Sequence, residues 1–410
     1  MKILHVLNYG WPLIDGYTIR SAALVGAQGT VMGWEPVVAT TGMNAFASGR
    51  DPAFATPWWN EGQSVAHGMG ARGWERPAFG FAPATFPAVQ HALERIMKRE
   101  WPALVHAHHP HQSARPAYEA ARKLGLPFVF ELRCFNGDYM RDSARWHERR
   151  LGDRINGLEI ALARNADQVV TIAEGLAERL VAGGVDERRV HIVRNAVDTT
   201  RFQPRGKGRG TREGDKIEFG YATSFARMEN LDGFLLGVRH LLDTRPDLAD
   251  RFHVTLAGDG EEMERLQALR AELDLADHIA LPGFVPYSAM PDFLRGLGLF
   301  VVTRGHAAVA QRTTPLKPLE ALAVGVPVLS TDLPALRELM GGRTDVRFVP
   351  PTPDGMAEGM ARFLDDPWTG TGAIGDRAWH SEVRRYGPIY EAALGAEHSS
   401  RAVTRDEAPA

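Results

Sequence analysis

The sequence predicts an α/β protein built from two doubly wound, Rossmann-like domains. Short apolar segments alternate with helical patterns along most of the chain, which is typical of parallel strands joined by helical crossovers. The pattern occurs twice, and a Gly-rich, charged break at residues 204–214 separates the two sets. A chain of 410 residues is also too long for one ordinary core. We therefore expect two domains that face each other across a cleft.

The predicted elements set the domain boundaries. The first set of strands covers residues 3–7, 36–40, 103–106, 128–132, 168–172 and 190–193, and helices are predicted at 22–32, 88–99 and 115–124. The second set of strands covers 217–221, 252–257, 278–281, 299–302 and 326–330. We expect domains at 1–203 and 215–375, a helix at about 376–395 that crosses back to the first domain, and a disordered tail at 396–410.

Composition excludes several classes of protein. Hydrophobic residues make up 44% of the chain and charged residues 24%, as in a soluble globular protein. The net charge of −3 provides no general field for nucleic acid, and no apolar run is long enough to cross a bilayer, so at most peripheral membrane contact is expected. The start of the chain lacks the pattern of a signal peptide. The single cysteine, Cys134, fits a cytoplasmic protein and is expected to be a packed thiol rather than a nucleophile.

A long irregular segment at residues 43–86 is rich in aromatic side chains. It carries Trp58, Trp59 and Trp74 among Gly and Pro. Loops of this length inside a compact domain are usually functional or disordered. Either an acceptor-facing loop or a loop folded onto its own aromatic residues is consistent with the pattern.

Two segments at predicted strand ends suit phosphate binding. Gly16 follows the first strand, where the lack of a Cβ lets backbone N–H groups approach a phosphate, and Arg20 could add a charge-assisted contact. The alternative is a simple turn with a solvated arginine. In the second domain, Lys317 stands at a predicted helix start and Glu320 one turn later, where a carboxylate can accept hydrogen bonds from two sugar hydroxyls. An ordinary α/β turn is the alternative for this segment.

Seven short motifs together resemble a known family. They are Asp15-Gly16-Tyr17-Thr18-Ile19-Arg20, His106-Ala107-His108-His109-Pro110, Glu131-Leu132-Arg133, Asn195-Ala196-Val197-Asp198, Gly220-Tyr221-Ala222, Pro282-Gly283-Phe284-Val285-Pro286 and Thr314-Pro315-Leu316-Lys317-Pro318-Leu319-Glu320. In order and spacing they resemble the GT4 family of retaining glycosyltransferases with the GT-B fold. The last motif resembles most closely the branch that carries a Thr-Pro-Leu-Lys-Pro-Leu-Glu signature. The resemblance covers residues 1–345.

The resemblance implies transfer of a sugar from a nucleoside-diphosphate donor, with UDP as the expected nucleotide, to an acceptor hydroxyl that the sequence does not identify. The implied catalytic residues are His108, which would contact the transferred sugar, and Glu131 and Arg133, which would contact the acceptor or form an ion pair in the cleft wall. Asp138 is a further acceptor candidate. The implied donor-binding residues are Gly16, Tyr17, Arg20, Ser224, Arg227, Val285, Arg304, Thr314, Pro315, Leu316, Lys317 and Glu320. Arg304 and Lys317 are the leading cations for the diphosphate.

The chain departs from the family pattern at two places. Ser224 and Glu229 stand near positions where many members carry Arg and Lys, and Arg227 is out of register as a substitute. Of the family's paired glutamates, Glu320 matches the second, whereas the first falls on Arg312 or Gln311. These departures leave donor preference open.

No metal or other cofactor is expected. The histidines at 106, 108, 109 and 111 tempt a metal assignment, but they lack a matching pattern of carboxylate or cysteine ligands. His106 is expected to pack beneath His108, and His109 and His111 to lie at the surface. Two functions compete with glycosyl transfer, namely a nucleotide-sugar 2-epimerase of the same fold and a non-catalytic sugar-nucleotide-binding subunit. The acceptor could be a polysaccharide, a lipid-linked sugar or a small metabolite.

Overall fold

The computed structural model describes residues 1–9, 13–41, 49–50, 63–64, 86–143, 145–204 and 216–405, with the backbone alone at 49–50, 63–64 and 396–405. These residues form two parallel α/β sheets, so the predicted fold class is confirmed. The aromatic segment at 43–86 lies almost wholly outside the described residues, and so does the break at 204–214 apart from its first residue.

Seven parallel strands form the first sheet. They are β1 (Lys2–Leu7), β3 (Glu35–Thr40), β5 (Gln63–Ser64), β6 (Leu104–His108), β7 (Phe128–Leu132), β8 (Gln168–Thr171) and β9 (Val190–Ile192). Their order across the sheet is β5-β3-β1-β6-β7-β8-β9, and β2 (Leu13–Ile14) pairs separately and antiparallel with β4 (Gly49–Arg50). Every residue of β6 and β7 is buried, as expected for central strands covered by helices on both faces.

Six parallel strands form the second sheet. They are β10 (Ile217–Ala222), β11 (Phe252–Ala257), β12 (Ile279–Gly283), β13 (Leu299–Val302), β14 (Val328–Thr331) and β15 (Val346–Val349), in the order β12-β11-β10-β13-β14-β15. The bounds of the predicted strands in both sheets agree with the structure to within two residues. The edge strand β15 was not predicted, because the exposed Arg347 interrupts its short apolar pattern.

Helices cover both sheets. In the first domain they are α1 (Gly16–Met32), α2 (Phe86–Glu100), α3 (His111–Lys123), α4 (Trp146–Asn165) and α5 (Glu174–Ala182). In the second they are α6 (Leu231–Thr244), α7 (Met263–Glu272), α8 (Met290–Gly296), α9 (Lys317–Ala323), α10 (Pro334–Met340) and α11 (Pro353–Asp365), followed by α12 (Trp379–Glu382) and α13 (Tyr386–Arg405). Helix α1 begins six residues before the predicted start. The reason is a capping box, in which Asp15 and Thr18 each accept a hydrogen bond from the other's backbone N–H at 2.9 Å.

The last helix returns to the first domain. Tyr386, Ile389 and Tyr390 of α13 share a buried cluster with Ile3 of β1 and Leu104 of β6. The helix continues to Arg405, so the prediction of a disordered tail from residue 396 is wrong for residues 396–405. That stretch contains Ala, Glu and Arg, which favour helix, and neither Gly nor Pro interrupts it.

The two domains meet where their strands end. The Asn195 side chain, after β9, donates to the carbonyl oxygen of Thr314 at 2.7 Å. Asp142, which follows β7, accepts a hydrogen bond from the backbone N–H of Ala308 at 2.9 Å. In open α/β sheets ligands bind beyond the carboxyl ends of the strands, so this geometry puts the ligand-binding edges of the two sheets opposite each other.

Candidate active site

The start of helix α9 brings a cation and a carboxylate together. Lys317 Nζ lies 2.9 Å from Glu320 Oε2, and the Tyr287 hydroxyl donates to Glu320 Oε1 at 2.9 Å. The Tyr287 ring lies beneath the Lys317 ammonium, with its centroid 4.8 Å from Nζ. No side chain caps this helix start. The N–H groups of Leu319 and Glu320 already donate to the Leu316 carbonyl oxygen, so the segment offers the Lys317 N–H, one ammonium and one oriented carboxylate.

The residues just before α9 connect it to the first domain. Thr314 accepts from the Asn195 side chain through its carbonyl oxygen and, at 3.2 Å, through its hydroxyl oxygen. Pro315 is half-buried and Leu316 is buried against the second core. Thr314 and Leu316 thus fix the approach to Lys317.

Arg304 is buried, and a carboxylate holds it. It is the second residue after β13. Its Nη2 donates to Glu229 Oε1 at 2.9 Å, and its Nη1 donates to the carbonyl oxygen of Thr313 at 2.7 Å. Burial alone would lower the pKa of Arg304, but the negative charge of Glu229 outweighs it and raises that pKa. The guanidinium is therefore charged and lies directly beside the residues that precede α9.

Three further predicted donor contacts lie at the same edge of the second sheet. Ser224 is exposed in the turn after β10. Arg227 is exposed, and its Nε lies 3.2 Å from Glu262 Oε1, so this arginine is paired within its own domain. Val285 is half-buried after Gly283, whose φ of +84° suits glycine. The structure brings these residues to the same edge as Arg304 and Lys317.

The predicted phosphate loop of the first domain carries an acidic cap. Gly16 is exposed at the start of α1, with open space where a Cβ would stand. The Asp15 carboxylate, however, already accepts from the Thr18 N–H and caps this helix start. The Tyr17 hydroxyl accepts a hydrogen bond from the backbone N–H of Asn8 at 2.8 Å. A negative side chain at the helix start makes it a poorer phosphate site than the start of α9.

Arg20 forms an ion pair inside the first domain, and its predicted contact with phosphate stays a prediction. Arg20 is buried, and its Nε donates to Glu131 Oε1 at 3.0 Å. Its other nitrogens donate to the Asn195 side chain at 3.0 Å and to the carbonyl oxygen of Val193 at 2.9 Å. The side chain points into the first domain because β7 presents the buried carboxylate there. The alternative of a solvated arginine is wrong, because the side chain is 2% exposed.

Glu131 and Arg133 form the ion pair that the sequence left as one of two alternatives. The Nε of Arg133 lies 2.7 Å from Glu131 Oε1, and the Tyr386 hydroxyl donates to Glu131 Oε2 at 2.5 Å. Burial would raise the pKa of Glu131, but Arg20 and Arg133 outweigh it and hold the pKa well below its usual range. Both side chains are buried, so the structure supports a role in the wall rather than direct acceptor contact.

His108 is buried at the end of β6, with both ring nitrogens in hydrogen bonds. Arg133 Nη2 lies 2.7 Å from His108 Nδ1, and His5 Nδ1 lies 3.0 Å from His108 Nε2. Arginine can only donate, so Nδ1 of His108 accepts and Nε2 carries the proton. Burial lowers the pKa of His108 well below its usual value, so the ring is neutral. Contact with a transferred sugar therefore requires one of these hydrogen bonds to open.

The bonds continue from His108 into a closed ring. The Nε2 of His5 lies 2.8 Å from the Gln28 side-chain oxygen, and the Gln28 amide donates to the Tyr390 hydroxyl at 2.9 Å. Tyr390 lies 2.7 Å from His106 Nδ1, and His106 Nε2 lies 3.5 Å from Glu131 Oε2. Since Glu131 pairs with Arg133, the chain of contacts returns to its start. Helix α13 is thereby connected to the end of β6.

The same three histidines are the candidate metal ligands in the described part of the chain. The ligand atoms of His5, His106 and His108 lie within 4.8 Å of one another. His5 and His108 face each other at hydrogen-bond distance, and the adjacent Glu131 already pairs with Arg20 and Arg133. A divalent cation would add two charges beside two buried guanidinium groups. We assign the group to hydrogen bonding, and the prediction that the protein uses no metal stays a prediction.

Three other sequence interpretations need correction, and one is confirmed. His109 and His111 are buried rather than at the surface, and His111 is the first residue of α3. Asp138 is buried and pairs with Arg179 at 2.6 Å, so it does not face an acceptor. Cys134 is half-buried beside His109, with Sγ 3.9 Å from Nε2, rather than fully packed away. The prediction that His106 packs beneath His108 is confirmed, because the two rings stack with centroids 4.1 Å apart.

The described elements match known proteins in both halves. Residues 32–201 match the model described as Glycosyltransferase Family 4, and residues 204–377 match the model described as Glycosyl transferases group 1. The chain is a glycosyltransferase of the GT-B fold. One relative, the 2-deoxystreptamine glucosyltransferase of Streptomyces kanamyceticus, is 25% identical over 329 residues, which cover 76% of this chain and 80% of the relative.

Two solved structures have the same fold as this glycosyltransferase. Sucrose-phosphate synthase from Thermosynechococcus elongatus aligns with a TM-score of 0.67 and 17% identity, covering 99% of this chain and all of that chain. HepE from Anabaena, in complex with UDP and glucose, aligns with a TM-score of 0.64 and 13% identity over the full length of both chains. Within the described residues, no helix is both long and apolar enough to cross a membrane.

Sequence reasoning missed several residues around the glycosyltransferase site. His5 looked like an ordinary strand residue, and Gln28, Tyr386 and Tyr390 like ordinary helix residues. Their polar atoms meet only after folding, since His5 and His108 are 103 positions apart. Glu229 was noted only as a departure from the family pattern. The burial of Glu229, which requires a partner elsewhere in the chain, is visible only in the structure.

Proposed function

We propose that this glycosyltransferase moves a sugar from a UDP-linked donor to an acceptor hydroxyl, with retention of configuration at the anomeric carbon. The observation that carries the proposal is the pairing of Lys317 with Glu320 at the uncapped start of α9. A nucleoside diphosphate needs a cation and N–H donors for its phosphates and an acceptor for its ribose hydroxyls. This segment offers all three within one helical turn.

The donor would lie mainly on the second domain. The ammonium and the backbone N–H of Lys317, at the start of α9, would bind the diphosphate, and Arg304 would add a second cation. Glu320, already oriented by Tyr287, would accept hydrogen bonds from the ribose hydroxyls. Residues near Val285 would lie against the base. UDP as the nucleotide is supported by HepE, a protein of the same fold that was solved with UDP and glucose.

The chemistry would depend on charge that develops on the leaving diphosphate. As the glycosidic bond breaks, negative charge grows on the β-phosphate, and preorganised cations and N–H groups stabilise it. Lys317 and Arg304 supply the stabilising positive charge from the protein, so we propose that no metal ion is required. Attack from the same face as the departing phosphate would retain configuration. His108, at the end of β6, would contact the transferred sugar once one of its present hydrogen bonds is broken.

Incubation with labelled UDP-sugars tests the proposal. Transfer to an added acceptor, or slow hydrolysis with release of UDP, is the expected result. Formation of a 2-epimer would favour the epimerase, and tight binding without turnover would favour a binding subunit. A panel of acceptors, comprising a polysaccharide, a lipid-linked sugar and an aminocyclitol, should then separate the acceptor classes. The aminocyclitol belongs in the panel because a relative of this chain is named for 2-deoxystreptamine.

A further inference from the structure

Glu229 is a buried carboxylate that pairs with the guanidinium of Arg304. It lies in the turn between β10 and α6 and is 1% exposed. Its Oε1 accepts from Arg304 Nη2 at 2.9 Å and from Arg304 Nε at 3.2 Å, while the Tyr221 hydroxyl donates to its Oε2. Two parallel N–H donors on one carboxylate fix the plane of the guanidinium as well as its position.

Stability alone is a weak reason to keep such a pair. Removing two charges from water costs several kcal/mol per ion, and apolar residues of similar volume often do as well or better. Glu229 and Arg304 nevertheless lie in the second domain's core region, with Tyr221 and Phe300 packed edge to face beside them. A buried ion pair in this setting indicates that the positive charge of Arg304 has a functional role.

The geometry of Arg304 leaves part of the guanidinium available. Its Nε–H and one hydrogen on each Nη are bound by Glu229 and by the carbonyl oxygen of Thr313. Arginine has five N–H groups, so one on each Nη remains. Thr331 also fixes the backbone here, because its hydroxyl donates to the carbonyl oxygen of Arg304 at 2.8 Å.

The Arg304 side chain lies close to the contact between the two domains. The carbonyl oxygen of Thr313, which accepts from Arg304 Nη1, precedes Thr314, whose carbonyl oxygen accepts from the Asn195 side chain of the first domain. The guanidinium therefore lies near the seam between the strand ends and beside the segment that leads to Lys317.

We propose that Glu229 is a positioning residue for the donor site, which holds Arg304 so that its two remaining N–H groups meet the β-phosphate of a bound nucleoside diphosphate. This rests on the proposed function. It gives a physical reason for an acidic residue at the position where the family resemblance implied a lysine. The cation is supplied by Arg304 from the neighbouring strand end, and the carboxylate aims it.

The test compares ligands with and without the β-phosphate. Calorimetry should show that Glu229→Gln weakens UDP binding about tenfold or more and leaves UMP binding unchanged, because the loss of a charge-assisted contact is confined to that phosphate. When Arg304 is already replaced by Gln, Glu229→Gln should not weaken the affinity for UDP any further. Tyr221→Phe is the matched control, since it removes another hydrogen bond from the same carboxylate but leaves the ion pair. It should lower the melting temperature without changing the UDP-to-UMP affinity ratio.

Each outcome decides between the two proposals. If the wild-type protein binds UDP no more tightly than uridine, the proposed function fails first. If the wild type binds UDP more tightly than UMP and a folded Glu229→Gln variant keeps the same UDP-to-UMP affinity ratio, the positioning role is overturned. Should Glu229→Gln fail to fold, Glu229→Asp replaces it, because it keeps the charge but withdraws the carboxylate by one methylene. An unchanged UDP-to-UMP ratio in that variant would equally overturn the role.

Discussion

The ammonium of Lys317 lies 2.9 Å from the carboxylate of Glu320, within the first turn of α9. An exposed ion pair of this kind contributes little to stability, but this pair is largely buried. The Tyr287 ring packs against the ammonium, and the Tyr287 hydroxyl donates to the carboxylate. The cation and the carboxylate are therefore oriented before any ligand arrives. In such a site, a diphosphate that takes the ammonium leaves the carboxylate free for hydroxyl groups.

Replacing Lys317 with Ala should weaken UDP binding by about 1.5–3 kcal/mol, the usual size of a hydrogen bond to a charged group. Uridine binding should change little, because uridine has no phosphate. Calorimetry with both ligands measures the difference. Lys216→Ala is the control, since Lys216 is an exposed lysine at the opposite, amino end of the second sheet. Equal UDP affinity in the wild type and Lys317→Ala would remove Lys317 from the diphosphate site.

Glu320→Gln should lose affinity for UDP and for uridine alike. The carboxylate can accept two hydroxyl protons, whereas the amide offers only one acceptor oxygen. Tyr287→Phe serves as the control, because it removes the hydroxyl that orients the carboxylate but keeps the ring and the charge. A small shift in melting temperature with normal ligand affinity would reduce Glu320 to a structural partner of Lys317.

His108→Gln should reduce turnover about a hundredfold, as the loss of a positioned catalytic group does, and leave UDP affinity almost unchanged. The residue lies on the first domain, whereas the nucleotide would occupy the second. Steady-state kinetics and UDP titration of the same preparation test this, with the exposed His91→Gln as control. Parallel losses of turnover and UDP affinity would indicate that His108 only supports the domain interface. Unchanged turnover would end the catalytic assignment.

Stability should fall as the pH drops below about 6.5. Burial lowers the pKa of His5 to about 3 and also lowers the pKa values of His106 and His108. Between about 6.5 and the folded-state values, the unfolded chain binds protons that the folded chain does not. Each histidine then contributes up to about 1.4 kcal/mol per pH unit to the slope. The pKa of Glu131 is lowered, so below about pH 4.5 this carboxylate also makes the protein less stable as the pH falls.

Urea unfolding at pH 7 and pH 5 measures that slope. His5→Gln should make it shallower, because one buried neutral imidazole is lost, while the exposed His91→Gln should leave it unchanged. A slope that does not differ between the wild type and His5→Gln would mean that His5 is protonated in the folded protein.

The sequence was sufficient for the fold because its signals are local. Apolar strands such as Phe128–Leu132 lie between helical patterns, and both central strands begin and end close to the predicted residues. The start of α9 was also predictable, since Lys317, Glu320 and the proline between them are neighbours in the chain. What could not be predicted is which side chains meet across the sheet.

Arg20 illustrates that limit. One turn after Gly16 it resembles a phosphate contact, yet in three dimensions Glu131 lies closer, 111 positions along the chain. Glu229 and Arg304 are similarly separated by 75 positions. A buried charge takes the nearest opposite charge that the fold supplies. Local spacing does not reveal that partner.

A crystal structure of the protein with UDP would test the donor site most directly. The account predicts the diphosphate at the start of α9, with a phosphate oxygen in hydrogen-bond contact with Lys317 Nζ and the ribose hydroxyls on the Glu320 carboxylate. UDP bound at the start of α1 instead, beside Gly16, with the Lys317–Glu320 pair intact, would contradict it.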